Sequence, residues 1–362
     1  MRQLYLAATG QNRGKTTASL GLLDGFLRRG LRTGFMKPVG QRTVIDHGMP
    51  ADEDAVLMHE VFGLTEPYTT MSPVHIPRGF TKAYIEGRVV EDLGARIDRA
   101  HESYLGYDVL LVEGTGHAGV GGVIGLSNAT VAARLGTPAV IVSEGGVGRP
   151  IDEIILNAAL FEKHGVRVAG AIVNKVDLDA QPGITRTLER GLAPYGIPLL
   201  GVLPVRPILS NPTLEMILEG LGGTPINIDL DLDRVIGSVS IGAMEPHHVL
   251  ERLGPDVLVI VPGDRADVIL TIAGAHLARP DGAAIGLVLT GGWAPEPAVL
   301  ARIRRAGLFA VSVDRDAYAV ASDVHDLLVK THPADVGKIE MIKAIVAEHL
   351  DIDRILGVAG QA

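Results

Sequence analysis

The sequence predicts an α/β protein: a parallel sheet flanked by helices, followed by a smaller α/β domain. Three observations carry this. Apolar runs at 4–8, 108–114, 138–144 and 168–175 are short, continuous and often β-branched, as strands buried on both faces are. Helix-length segments lie between them, and strand–helix alternation implies a doubly wound sheet. The composition agrees: 47% hydrophobic residues with only 4% aromatics describe an interior of Val, Ile, Leu and Ala.

The elements follow in order. The first run, "LYLAA", ends at Ala8, and "KTTASLGLLDGFLRRG" (15–30) reads as a helix whose apolar stripe is Ala18, Leu22, Leu23 and Phe26, with Gly30 as its stop. "GFMKPVG" ends a further strand at Lys37. After 220 the text turns glycine-rich and then acidic, and new strands begin at "VIGSVSIGAM" (235–244). This places a first domain at 1–225, a linker at 226–234 and a second domain at 235–356. In the second domain, "DVLVIVPGDRADVIL" and "AIGLVLTGGWAPEPAVL" each read strand, glycine turn, helix.

With 362 residues, two domains are the default. A net charge of −9 argues against broad attraction to nucleic acid or anionic lipid. No apolar stretch approaches a membrane span, and no signal-peptide pattern opens the chain, so the expected location is the cytoplasm. Zero cysteines exclude disulfides, thiolate metal sites and cysteine nucleophiles. The histidines of "EPHH" (245–248), expected in a strand, and the arginines of "ARIRRAG" (301–307) read as surface.

The chemistry concentrates at "ATGQNRGKTT" (8–17). A strand, a polar loop, then Gly-Lys-Thr opening a helix is the context in which backbone N–H groups and a helix N-terminus face a phosphate. Gly10, Gln11, Asn12, Arg13, Gly14, Lys15, Thr16 and Thr17 are the loop candidates, with Gly10 expected to serve the turn. Lys15 neutralises the terminal phosphates and the Thr16 hydroxyl ligates Mg²⁺. Glu113, at the end of its strand, and Asp54, beside Asp52 in "ADEDAVLM", supply carboxylates of the kind Mg²⁺ takes. Lys37 lies at the same sheet edge. "NKVD" (174–177) offers Asn174 and Asp177 to a purine base. Together these indicate a P-loop NTPase-type sheet.

These residues resemble dethiobiotin synthase and the similar domain that opens long phosphate acetyltransferases, over roughly the first 225 residues. That family's loop, G-T-[DN]-T-x-[VI]-G-K-T, has the longer frame seen here, with Ala8 in the first glycine's place. Lys37-Pro38, Asp54-Ala55 and Glu113-Gly114 match its "KP", "sDa" and "EGaGG" motifs in order. The resemblance implies ATP as ligand or substrate, Mg²⁺ held by Thr16, Asp54 and Glu113, Lys15 and Lys37 as catalytic lysines, Asn174 at the adenine and "LGVLP" (200–204), ending at Pro204, as the loop over the base. It also implies a homodimer. Two positions depart: Gln41 replaces the family's serine, and "EGTGH" carries His117 after Gly116. Gln41, Gly116 and His117 are the second-substrate candidates, and their identities argue against dethiobiotin synthesis.

After 230 the sequence resembles a DRTGG domain through "PGDRADVIL" and "LTGG". Asp264, Arg265, Gly291 and Gly292 are its candidates for a small anionic or nucleotide effector. The acetyl-transferring domain of the long enzymes has no counterpart before Ala362, so phosphate acetyltransferase activity is not expected. Three readings stay open: a nucleotide- and metabolite-responsive regulator of central metabolism, an ATP-dependent ligase or ATPase, and a dimeric scaffold without turnover.

Overall fold

The computed structural model describes residues 1–327 and 330–361. The chain forms two compact units, Met1–Val205 together with Thr331–Ala362, and Arg206–Lys330.

The first unit is built on β1 (Arg2–Ala8), α1 (Lys15–Leu27), β2 (Thr33–Met36), α2 (Glu53–Phe62), β3 (Val109–Glu113), β4 (Ala139–Glu144), α3 (Gly148–Lys163), β5 (Val168–Val176) and β6 (Leu199–Pro204). These six strands are parallel in the order β6-β5-β4-β1-β3-β2. Gly360–Gln361 adds an antiparallel strand beside the start of β1. The apolar runs became strands because helices cover both faces: Leu4 to Ala8 and Val109 to Val112 are buried without alternation. Strand order reverses around β1, so the C-terminal ends of β1, β3 and β4 open a crevice of the kind where ligands bind in such sheets.

The single apolar stripe expected on α1 does not describe it. Residues 18–26 are all buried, Gly21 and Gly25 included. One face covers the sheet, and the other receives the C-terminal helices Val336–His349 and Ile352–Val358. A Cβ on Gly21 would stand 2.2 Å from Cβ of Val346, and one on Gly25 would stand 3.1 Å from Ile352. The two glycines therefore let helix backbones approach closely. Ile339, Ile342, Ile345 and Val346 supply the facing apolar row. The C-terminal segment thus packs in the first unit, not in the second domain to which its position in sequence assigned it.

Gly21→Ala tests this packing. Alanine gains about 1 kcal/mol of helix propensity over glycine, but overpacking costs about 1–3 kcal/mol. Cβ of Val346 cannot rotate away, so the clash should dominate. We expect a net loss of about 1–2 kcal/mol in urea unfolding. Equal stability of Gly21→Ala and the native chain would contradict the packing.

The second unit contains α4 (Leu214–Leu221), β7 (Thr224–Asn227), β8 (Ser238–Ile241), β9 (Val257–Pro262), α5 (Ala266–Ala278), β10 (Gly286–Thr290), α6 (Pro297–Ala306), β11 (Phe309–Ser312) and α7 (Ala317–Asp326). Strands β8, β9, β10 and β11 are parallel and consecutive, and β7 closes the far edge antiparallel to β11. The segment expected as a linker is part of this unit. In "INIDLDLD", Ile226, Ile228, Leu230 and Leu232 alternate with polar residues and pack against the unit's two cores. The edge strand ends at Asn227, and the alternation beyond it reports irregular chain laid on the cores, which its acidic half disguised. "EPHH" is also not a strand: His247 and His248 lie on the short helix Pro246–Leu250 and are exposed.

Candidate functional site

The loop after β1 is shaped by two left-handed residues. Gly14 has φ 93° and caps α1 without a side-chain hydrogen bond, which leaves the first helical amides without a side-chain acceptor. A Cβ on Gly14 would lie 1.8 Å from Asn174 Nδ2, so glycine is required by conformation and by space. The other is Asn12, with φ 57°. Gly10 has no such conformation, so the turn expected of it is made by Asn12 and Gly14.

Beside this helix start, four strand and helix ends bring charges together. Lys37 follows β2, Glu113 ends β3, Asp54 stands in the first turn of α2, and Lys15, Thr16 and Ser19 share one face of α1. Lys37 Nζ donates to Glu113 Oε1 (2.8 Å) and to Asp54. Thr16 Oγ1 donates to Asp54 Oδ1 (3.0 Å), and Ser19 Oγ to Glu113 Oε2 (2.6 Å). Burial raises the Glu113 carboxyl against the pull of Lys37. Asp54 is held below the usual carboxylate range: burial opposes this, but Lys37 and its hydrogen bonds outweigh it. For Lys37, burial works against the charge, yet Asp54 and Glu113 hold the ammonium well above its ordinary value.

Lys15 is the exception in this cluster. It is 9% exposed, and its ammonium has no hydrogen-bond or ion-pair partner among the described residues. Burial, then repulsion from Lys37, lowers it from 10.5 to about 8.

Asp52 caps α2 by accepting from Asp54 N (3.1 Å) and is buried, with burial raising its carboxyl. It therefore aims Asp54 without itself meeting Thr16 or Lys37. Several residues of the site carried no motif signal: Ser19, Glu144, Glu153, Tyr5 and Asn128. Only Ser19 was accessible to pattern reasoning, lying one turn after Lys15. Arg13 Nη1 meets Glu144 Oε2 (2.6 Å), and Glu153 Oε2 accepts from Thr9 (2.8 Å), so the loop's far side is tied to β4 and α3. Tyr5 donates to Asn128 Oδ1 (2.9 Å), which fixes the turn after Glu113. Asn128 Oδ1 would lie 2.5 Å from a Cβ on Gly114, which explains the glycine there.

The remaining candidates are more dispersed. Gln11 and Gln41 are exposed, and Thr17 is partly buried. Gly116 adopts φ 65°, and exposed His117 accepts at Nδ1 from Gly119 N (3.2 Å). Asn174 Nδ2 donates to Arg13 O (3.2 Å), so its amide braces the loop. Pro204 is buried at the end of β6, and "LGVLP" is a strand, not a covering loop. In the second unit, Asp264 is exposed, and Arg265 forks onto Asp267 with both contacts at 2.9 Å. Gly291 N donates to Arg315 O and Gly292 N to Val313 O, so these amides are not bare, as the effector reading required.

The AAA domain family matches residues 2–213, and the DRTGG domain matches residues 216–327. The phosphate acetyltransferase of Pseudomonas putida is 29% identical, over 97% of this chain and 51% of that protein. That of Nitratidesulfovibrio vulgaris is 26% identical, over 96% of this chain and 50% of its own. The chain spans about half the length of these relatives. Among solved structures, the CBS and DRTGG domains of the regulatory region of Clostridium perfringens pyrophosphatase, complexed with the activator diadenosine tetraphosphate, align at 20% identity and a TM-score of 0.30. That alignment covers 39% of this chain and 63% of that one. This chain belongs to the AAA domain family, in its dethiobiotin-synthase-like P-loop form, and carries a DRTGG domain after it.

Proposed function

We propose that the first unit binds ATP as its Mg²⁺ complex and that the protein is a nucleotide-responsive regulator whose DRTGG domain answers to a small metabolite. One observation carries the reading: Lys15, 9% exposed and without a partner for its ammonium among the described residues, stands at an uncapped helix N-terminus behind a left-handed glycine. A buried charge is costly unless paired, and a phosphate would pair it. The donor set suits Mg²⁺, since Thr16 Oγ1 and Asp54 Oδ1 are adjacent hard oxygens. Both Glu113 oxygens are committed to Ser19 and Lys37, so Glu113 would support the metal through Lys37 and Asp54 rather than alone. Bound Mg²⁺ would offset phosphate charge.

Lys37 bears on the alternative of an ATP-dependent ligase. Its ammonium is held by two carboxylates, which favours a binding role over polarising a second substrate at Gln41, Gly116 and His117. For the effector, the exposed Asp264 and the exposed Trp293 after β10 replace the glycine amides as the favoured contacts. A homodimer in the cytoplasm completes the proposal.

Titration calorimetry checks it. We expect micromolar ATP affinity that falls at least tenfold when EDTA removes Mg²⁺. No heat of binding with excess Mg²⁺ would overturn the reading. Phosphate release stimulated by an amine or carboxylate with bicarbonate would favour the ligase instead.

A further inference from the structure

We propose that the small ligand of the second unit is an organic cation, an ammonium on an apolar body, held at one edge of the sheet by Asp264, Asp314 and Trp293. The inference rests on the reading that this unit answers to a metabolite, and it names the chemical class.

The loops that follow β9, β10 and β11 meet at the C-terminal edge of the parallel strands. Their glycines record how closely. A Cβ on Gly263 would stand 2.0 Å from Trp293 O, so the loops after β9 and β10 touch. A Cβ on Gly291 would stand 3.0 Å from Cδ1 of Trp293, and one on Gly292 would stand 3.2 Å from Asp314 Oδ1. The indole and the Asp314 carboxylate therefore flank one glycine turn, and Asp264 follows Gly263 directly.

The charge left open at this edge is negative. Arg265 forks onto Asp267 and donates to Met244 O (3.2 Å). Arg315 pairs with Asp323 and donates to Leu221 O (2.8 Å). The amides of Gly291 and Gly292 are already bonded to Arg315 O and Val313 O. Asp264 and Asp314 are exposed, and neither carboxylate has a hydrogen-bond or ion-pair partner among the described residues. An anion would meet two open carboxylates, with both arginines and both amides engaged elsewhere. Thr290 points the same way. It ends β10 just before Gly291, is 2% exposed, and its hydroxyl has no partner among the described residues. A buried hydroxyl left unpaired is costly, and an ammonium N–H would satisfy its lone pair.

The cation is organic because of Trp293. This indole, 64% exposed, is the chain's one tryptophan. The face of an indole attracts an ammonium, and its apolar surface takes the alkyl stem. A hard metal ion needs converging oxygens instead. Among the described residues, no three carboxylate or imidazole groups of this edge come within 4.8 Å of one another.

The test uses Trp293 fluorescence, which reports this site without a label. The probes are 1,4-diaminobutane, Mg²⁺ of the same charge and inorganic phosphate, at constant ionic strength, on the full chain. We expect saturable quenching by 1,4-diaminobutane and none by phosphate. Replacing both Asp264→Asn and Asp314→Asn should weaken the diamine about fivefold or more, and neither side chain has a partner whose loss would disturb the fold. Asp229→Asn with Asp281→Asn removes two exposed charges elsewhere in the unit and should leave the affinity unchanged. Mg²⁺ quenching equal to that of the diamine, or equal weakening by the two double variants, would mean attraction to acidic surface only and overturn the site. If phosphate quenches instead, the cation is overturned while an effector at this edge stands. If no probe moves the fluorescence, both fall, and ATP binding by the first unit, read by calorimetry, is unaffected.

Discussion

Lys15→Met is expected to weaken Mg²⁺-nucleotide binding by about 100-fold or more while making the nucleotide-free protein more stable. The two effects share one cause. Lys15 is buried, without a partner among the described residues, and lowered from 10.5 to about 8, which corresponds to about 3 kcal/mol of penalty on its charged form. Methionine keeps the apolar stem and removes the charge. Nucleotide-free Lys15→Met should therefore gain about 2 kcal/mol at pH 7, or several degrees in melting temperature. The sign of the pH dependence follows from the direction of the shift. Between pH 8 and 10.5 the unfolded lysine holds its proton more than the folded one, so the native chain gains stability from this group as pH rises through that window. The advantage of Lys15→Met should be full below pH 8 and shrink above it. Calorimetric melting at pH 7 and 9.5, with and without nucleotide, reads both effects. A destabilised Lys15→Met protein with native nucleotide affinity would contradict the account on both sides.

Lys37→Met should have the opposite effect on the fold. Lys37 neutralises two carboxylates, and Glu113 is fully buried. Removing one partner of a buried ion pair leaves an uncompensated charge and costs about 3–5 kcal/mol. The loss should diminish in acid. Without Lys37 the Glu113 carboxyl, already raised by burial, binds its proton in the folded state above the pH at which the unfolded chain does. Stability then rises as pH falls through that interval. Urea unfolding at pH 7.5 and 5.5 measures this. Adding Glu113→Gln should recover at least about 1 kcal/mol at pH 7.5, since the amide carries no charge to bury. A loss below about 1 kcal/mol, equal at both pH values, would show that the triad is not an ion-pair cluster.

Much of the first unit was legible because its signals are local. The strands at 4–8, 108–114, 138–144 and 168–175 lie within a residue or two of the observed β1, β3, β4 and β5. Gly14, Lys15 and Thr16 are adjacent in the chain, and the strand before them and the helix after them both carry clear patterns. The convergence of Lys37 and Glu113 followed from strand ends, since residues that close successive strands of a parallel sheet share one edge, whereas Asp54, on α2, came from the motif order of the resemblance. Who pairs with whom at that edge was not legible. Nothing in "GFMKPVG" says that Lys37 is clamped and Lys15 left alone, because that depends on side chains from three elements meeting in space.

The misreadings have the same origin. Alternation in "INIDLDLD" was overshadowed by its acidic residues, since an alternating segment that lays apolar side chains on a core and a charged linker share composition and differ only in period. Gly291 and Gly292 suggested open amides because a sequence does not reveal that Arg315 and Val313 turn their carbonyls toward them.

By itself, the sequence determined the α/β class, the phosphate loop and the edge at which charges gather. These depend on apolar run length, on glycine's access to left-handed backbone and on neighbouring residues. Tertiary structure alone decided that α1 is sandwiched and that its outer cover comes from residues more than 300 positions away. It also decided which lysine keeps its charge unpaired. Packing and charge pairing depend on distances between segments far apart in the chain, and a linear pattern does not carry those distances.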